Sequence, residues 1–175
     1  MNKERKYTFS WDLLGDIEAG RVNLGNQTSI EAYRLMQFTF RDVIEQYVGT
    51  EKTDKIFFDA GKLAGKEFYN NILTPTKDLN DFIRQLQKVL NDMKIGILRI
   101  EKSDMESGEF ILTLSEDLDC SGLPELDFEI CTYDEGFITS LFECFVGVPF
   151  NVKEIDCWCT GDRTCRFSAK AVKNN

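Results

Sequence analysis

The residues best able to do chemistry in this chain are its cysteines, which are concentrated near its C-terminal end. Five of the six cysteines lie within residues 131–165. Cys157, Cys159 and Cys165 flank the pair Gly161-Asp162, which is typical of a β-hairpin turn, so two short strands would bring these thiols together. Thiols in such a cluster can bind a metal ion or take part in redox reactions.

A reducing environment favours metal binding over disulfide formation. No apolar signal segment precedes the charged residues 1–6, and no apolar run approaches the roughly 18 to 20 residues that span a bilayer. We therefore expect a cytoplasmic protein. Clustered thiols in the cytosol are more often metal ligands or redox groups than disulfides, and a chain of this length does not need disulfides for stability. Cys131 then becomes a candidate for a more distant ligand.

The spacing of these residues resembles that of the 4-vinyl reductase domain family. The matching residues are Cys131, Tyr133, Gly136, Phe137, Glu154, Cys157, Gly161, Asp162, Cys165 and Phe167. In members of this family that sense ligands and control the degradation of aromatic compounds, three cysteines and one glutamate bind zinc. The resemblance implies a structural zinc ion here, bound by Cys131, Glu154, Cys157 and Cys165. A weaker similarity extends over residues 20–100.

Two residues compete for the place of the fourth ligand. Spacing alone favours Cys159, whereas the resemblance implies Glu154, and a carboxylate oxygen can bind zinc at about 2.0 to 2.2 Å. Glu154 and Cys157 are three residues apart, so a regular strand would place them on opposite faces, and we expect a bulge between them. The alternative is a solvated Glu154 and cysteines that are small core residues. Cys120 and Cys144 are expected to have no role at the metal.

Composition excludes several classes of protein. The chain has no histidine, which rules out Ser-His-Asp catalysis, histidine zinc sites and histidine-ligated haem. Its 30 acidic and 21 basic residues give a net charge of -9, which disfavours binding to nucleic acids and anionic membranes. The 14 phenylalanines predict an aromatic core, which could pack solidly or surround a flat apolar ligand.

Hydrophobic periodicity predicts four helices, at residues 28–49, 53–73, 78–93 and 134–146. The first should begin with a capping box formed by Thr28 and Glu31, and its many apolar residues predict burial on more than one side. In the second helix, Gly61 and Gly65 lie one turn apart, which indicates the close approach of another backbone or of a ligand.

The order of elements predicts a single α+β domain at residues 28–175, which follows an N-terminal arm at residues 1–27. Its N-terminal helices should pack on an antiparallel sheet, with the metal bound at the C-terminal hairpin. The resemblance implies the fold shared by nitric oxide signalling and vesicle-tethering proteins, which has an apolar cavity between helices and sheet. Dimers are common in the family, so we expect a homodimer.

The favoured function is the binding or sensing of a small apolar molecule, aromatic or hydrocarbon. The expected pocket walls are Phe110, Phe137, Leu141 and Val152; the alignment with phenol-sensing relatives implies three of them, and helix periodicity adds Phe137. A separate partner protein would have to read the signal. One alternative is a vinyl-group reductase subunit or accessory protein of tetrapyrrole metabolism, although no dinucleotide fingerprint or flavin site is recognisable. The other alternative is a protein-assembly module.

Overall fold

The computed structural model describes residues 5–172, which form an α+β fold as the sequence predicts. Two 3-10 turns lie at Trp11–Leu14 and Trp158–Thr160. The helices are α1 (Ile17–Gly20), α2 (Ile30–Val48), α3 (Thr50–Ile72), α4 (Leu79–Asp92) and α5 (Thr132–Val146). The strands are β1 (Ile97–Asp104), β2 (Glu109–Ser115), β3 (Phe150–Asp156) and β4 (Cys165–Ala171).

The four strands form an antiparallel sheet in the order β1-β2-β4-β3. Helices α4 and α5 pack on one face of this sheet, and the inward side chains of β3 alternate with outward ones, as the period of a strand requires. On the other face, Arg166 pairs with Glu101 across the sheet in a partly exposed ion pair. The aromatic core therefore lies between the sheet and the α4–α5 layer.

The contact between α3 and α5 is close enough to exclude side chains. A Cβ atom added at Gly61 would lie 2.0 Å from the carbonyl oxygen of Tyr133, and one added at Gly136 would lie 2.0 Å from that of Phe58. Gly65 packs against the same helix. The predicted close approach at the α3 glycines is confirmed, and the group that approaches is the backbone of α5.

Helix α2 begins and packs differently from the prediction. Its N-cap is Ser29, whose hydroxyl accepts a hydrogen bond from the Ala32 N–H, so the predicted capping box at Thr28 is wrong by one residue. The helix ends at Gly49 as predicted.

The predicted burial of α2 on several sides is also wrong. Within α2, all of which is described, the one buried residue is Arg41. Several large apolar side chains are exposed instead, among them Leu35, Met36, Phe40, Val43 and Tyr47. The helix lies at the edge of the fold and contacts α3 and the loop after β2 along one side, so its other apolar residues have no neighbour in this chain.

The N-terminal arm consists of short helical turns joined by bends rather than a strand, and its apolar residues are half-buried or exposed. The charged start at residues 1–4 and the predicted frayed tail at residues 173–175 lie outside the described residues. Within residues 5–172, no helix combines the length and the apolar composition needed to cross a membrane.

Candidate metal centre and apolar cavity

Four cysteines from separate parts of the fold meet beneath the sheet edge. Cys157 directly follows β3, Cys165 begins β4, Cys131 caps the start of α5, and Cys120 comes from the loop after β2. All four are fully buried, and their sulfur atoms lie within 4.8 Å of one another.

The distances within this group suit a tetrahedral metal ion. The sulfur of Cys131 lies 3.9 Å from that of Cys157 and 3.9 Å from that of Cys165, and the sulfur of Cys120 lies 3.0 Å from that of Cys165. A tetrahedral zinc ion with Zn–S bonds of about 2.3 Å would separate its sulfur ligands by about 3.8 Å. The four buried cysteines could therefore bind a metal with small shifts of their side chains.

Hydrogen bonds among the thiols divide their acidity unevenly. The thiol of Cys120 raises the pKa of Cys131 and of Cys165, and it lowers the pKa of Cys157. The group therefore favours a thiolate at Cys157 that its neighbours stabilise. Since the thiolate is the form that binds metal, a metal ion entering this group would displace the remaining S–H protons.

Sequence reasoning misses Cys120 and places it outside the metal site. The loop that carries Cys120 is fixed by α2: the Arg34 side chain donates to the carbonyl oxygens of Leu118 at 2.8 Å and Ser121 at 2.9 Å. Because this loop has no periodic pattern, its position can come only from such long-range bonds. The residues on either side of Cys120 therefore carry no signal that marks it as a ligand.

Glu154 lies beside the same thiols. Its side chain is buried, and neither carboxyl oxygen has a hydrogen-bond partner among the described residues. Burial, together with a smaller effect of the nearby Cys157, raises the pKa of Glu154 to about 9. The register of β3 against β4 shifts between Glu154 and Asp156, which confirms the expected bulge and turns Glu154 and Cys157 toward the same interior.

The other two cysteines lie outside the group of four. Cys159 is fully buried in the 3-10 turn after Cys157, and burial raises the pKa of its thiol to about 12. Its backbone carbonyl accepts a hydrogen bond from the Leu126 N–H at 2.8 Å. Cys144 is half-buried on α5, away from the cluster.

An apolar cavity of about 30 Å³ lies between α4, α5, β1 and β2. Two of the four expected pocket residues, Phe137 and Leu141, line it. The other wall residues are almost all aliphatic or aromatic: Ile83, Leu86, Leu90, Ile95, Leu98, Ile100, Leu112, Leu114, Asp134, Ile138 and Phe142. Phe110 and Val152 lie elsewhere on the inner face of the sheet, on either side of Ala169 in one cross-strand row.

A wider cleft of about 260 Å³ adjoins this cavity. Cavity and cleft share Ile95, Asp134 and Phe137, so these residues form the boundary between them. Phe137 packs edge-to-face on Phe68 of α3, with 5.2 Å between ring centroids. The outer wall of the cleft includes Phe9 and Trp11 of the N-terminal arm.

The strands and the helix that position these groups also carry a recognisable family pattern. Residues 110–171 match the model of the 4-vinyl reductase domain. This match confirms the resemblance found in the cysteine spacing. A curated relative, an uncharacterised protein of Methanocaldococcus jannaschii, is 27% identical over 117 residues, which cover 67% of this chain and 64% of the relative. The chain thus spans slightly less than two thirds of that relative's length.

Solved structures of similar architecture extend the likeness beyond the matched residues. A vinyl-4-reductase family protein from M. jannaschii has a TM-score of 0.62 and 16% identity, covering 97% of this chain and 100% of that one. The phenol-responsive sensory domain of the transcription activator PoxR, solved with phenol, has a TM-score of 0.58 and 12% identity, covering 82% and 75%. A trafficking protein particle complex subunit 3 from Naegleria fowleri, covalently bound to palmitic acid, has a TM-score of 0.58 and 13% identity, covering 80% and 95%. At these identities the likeness shows the fold, and it is the fold that the sequence predicts.

Proposed function

We propose that this chain is a sensing domain for a small apolar molecule and that a structural zinc ion fastens its C-terminal hairpin. The observation that carries the proposal is the apolar cavity between α4, α5 and the sheet. Helix α5 links the two sites, because Cys131 caps its first turn and Phe137 and Leu141 line the cavity from the following turns. The match to the 4-vinyl reductase domain and the phenol-bound PoxR neighbour support the same function.

The proposed ligand is an uncharged or weakly polar aromatic or hydrocarbon. A cavity of about 30 Å³ holds a group the size of a methyl or a water, so a ring must displace Phe137 and extend into the cleft. A larger ligand that also moves Phe142 would reach Phe110, whose ring centroid lies 4.7 Å from that of Phe142. Val152 follows in the same row of the sheet, so we retain both residues as outer pocket walls.

Zinc is the metal we propose, with Cys131, Cys157 and Cys165 as three of its ligands. The fourth ligand is Glu154, as the resemblance implies, or Cys120, as the sulfur positions favour. Four protein ligands leave no open position for a substrate, so the ion would stabilise the fold rather than catalyse a reaction. Reduced thiols are consistent with the proposed cytoplasmic location.

We further propose a homodimer formed through α2, with an additional partner protein that reads the bound state. The exposed apolar side chains of α2, which include Leu35, Met36, Phe40 and Tyr47, support this surface. A monomeric soluble protein rarely leaves so many large apolar side chains exposed on one helix.

Thermal-shift measurements with toluene test the ligand-binding function. Leu141→Phe should fill the small cavity, leave the protein folded and reduce the stabilisation by toluene, because the added ring occupies the space that the ligand needs. Leu63→Phe is the matched control, since Leu63 is exposed on α3, and it should respond like the wild type. Toluene and a wider screen of apolar compounds leaving the wild-type melting temperature unchanged would reject the function.

A further inference from the structure

Asp134 places an unpaired carboxyl oxygen at the boundary between the apolar cavity and the cleft. The residue lies in the first turn of α5 and lines both spaces. Its Oδ2 atom is shielded from solvent and has no hydrogen-bond partner among residues 5–172. A shielded polar atom without a partner costs free energy of folding, so its presence beside an apolar space suggests that a bound molecule supplies the partner.

The neighbouring polar groups do not satisfy this oxygen. Tyr33, which also lines the cleft, donates its hydroxyl to Oδ1 of Asp119 at 2.7 Å. Asp117, Cys131 and Asp134 have possible ligand atoms within 4.8 Å of one another. Asp134 is not needed at the metal, however, because four thiols already complete a tetrahedral set without it.

The volumes on the two sides of Asp134 restrict the shape of the partner. The inner cavity, about 30 Å³, is too small for a ring. The cleft, about 260 Å³, exceeds the roughly 150 Å³ of a protein cavity known to bind benzene. A single ring fits the cleft, and a polar substituent on it can reach the boundary where Oδ2 lies. The nearby carboxyl groups of Asp117 and Asp119 disfavour an anionic ligand.

We propose that Asp134 anchors a single-ring apolar ligand that carries one hydrogen-bond donor, a hydroxyl or an amino group. This inference rests on the proposed sensing function and refines its ligand class. A plain hydrocarbon fills the same cleft but leaves Oδ2 unpaired, so the donor-bearing molecule binds more tightly than its size alone would give.

The test uses the full chain with its metal and three probes: toluene, benzyl alcohol and benzyl methyl ether. Asp134→Leu keeps the branched shape of the side chain and removes its oxygens. It should lower the ratio of benzyl alcohol affinity to toluene affinity about tenfold, the size of one buried hydrogen bond. Asp134→Asn, which keeps one acceptor oxygen, should retain most of this ratio. Glu67→Leu removes another carboxylate from the cleft wall and should leave the ratio unchanged.

Benzylamine in place of benzyl alcohol then shows which donor the site prefers. If toluene binds the wild type but Asp134→Leu leaves the ratio unchanged, the inference is overturned while the sensing function stands. If none of the probes binds the wild type and the wider screen also fails, the sensing function and the inference are both rejected. Circular dichroism and metal content check that Asp134→Leu is folded. Should it unfold, the wild type alone decides: benzyl alcohol must bind about tenfold more tightly than the ether, which lacks the donor, and equal affinities overturn the inference.

Discussion

At the scale of single residues, burial brings thiols and one carboxyl into the same small space. Cys120, Cys131, Cys157 and Cys165 are fully buried, and Glu154 beside them has both carboxyl oxygens unpaired within the described chain. A buried carboxyl without partners is costly unless it is protonated or binds a cation. The chemistry of Glu154 therefore depends on whether metal is present and which residue completes its coordination.

Replacement of single ligands should identify the metal set. Cys157→Ser and Cys165→Ser should lose the metal and melt roughly 10 °C or more below the wild type, because metal binding contributes directly to folding free energy. Cys144→Ser, on α5 but outside the cluster, is the control and should keep the metal. Metal content by mass spectrometry and melting temperature are the measurements. A full equivalent of metal in Cys157→Ser would contradict the site.

The same measurements separate the two candidates for the fourth ligand. Cys120→Ser should lose metal if the four thiols coordinate it, with Glu154→Gln then retaining it. The reverse result would assign Glu154 and return Cys120 to the role of a core residue. Cys159→Ser should retain the metal in either case, because Cys159 lies outside the group of four.

The pH dependence of the metal-free protein should report on Glu154. The pKa of Glu154 is raised to about 9 in the fold, mainly by burial, whereas its ordinary value is 4.5. The unfolded chain therefore releases this proton first, and the contribution of Glu154 to stability is present below about pH 4.5 and is lost as the pH rises to about 9. Urea unfolding with chelator and reductant at pH 5.5 and pH 8 should show a smaller decrease for Glu154→Gln than for the wild type. Equal decreases would refute this assignment.

At the scale of elements, the site depends on how closely α5 approaches its neighbours. Helix α5 provides a metal-site cysteine, the acid Asp134 and two cavity residues, and its depth is set by the glycine contact with α3. On its other side, the buried carboxylate of Glu135 accepts a hydrogen bond from the Glu154 N–H at 2.8 Å and pairs with Lys153 at 2.9 Å. These contacts fix α5 relative to β3, so metal site and cavity share one support.

Substitution of a contact glycine should test this support. Gly61→Ala should destabilise the protein by at least about 2 kcal/mol, since the new Cβ would meet the carbonyl oxygen of Tyr133 and the backbones would have to separate. Gly20→Ala is the control, because a Cβ there meets no atom within 4 Å. Chemical denaturation gives both free energies of unfolding. Similar values for the two variants would mean that α3 and α5 are farther apart in solution.

At the scale of the whole molecule, the exposed face of α2 is the feature that the single chain does not explain. Helix α2 is connected to the metal region through Arg34, which bonds the Cys120 loop, and through Tyr33 and Gln37, which both donate to Asp119. A partner on the outer face of α2 would thus sit one helix away from the proposed metal. This arrangement could transmit ligand binding to an assembly.

A charge on the exposed face should weaken the proposed dimer. Phe40→Asp should convert the protein to a monomer at micromolar concentration, because an unpaired carboxylate would be buried at the interface. Met105→Asp removes a similarly exposed apolar residue from the β1–β2 turn and should leave the dimer intact. Sedimentation velocity distinguishes the two states. A monomeric wild type, or a dimeric Phe40→Asp, would show that α2 does not form the interface.

Much of the fold and part of the site were accessible from local patterns. The α4 helix and its Asp78 cap, the β1–β2 hairpin, Gly147 at the end of α5 and the bulge after Glu154 all depend on residues close in sequence. The same holds for Cys157 and Cys165, which one turn brings together. Phe137 and Leu141 follow from the periodicity of α5 and from the aligned spacing.

The sequence by itself determined the α+β class, the element order and the concentration of thiols near the last hairpin, because each rests on hydrophobic period, turn residues or spacing. Only the tertiary structure decided that Cys120 joins the cluster, that α2 exposes its apolar side and that the closed cavity is smaller than a ring. These outcomes depend on contacts between residues far apart in the chain, such as Arg34 with the Cys120 loop. They also depend on how tightly side chains pack, which no local pattern specifies.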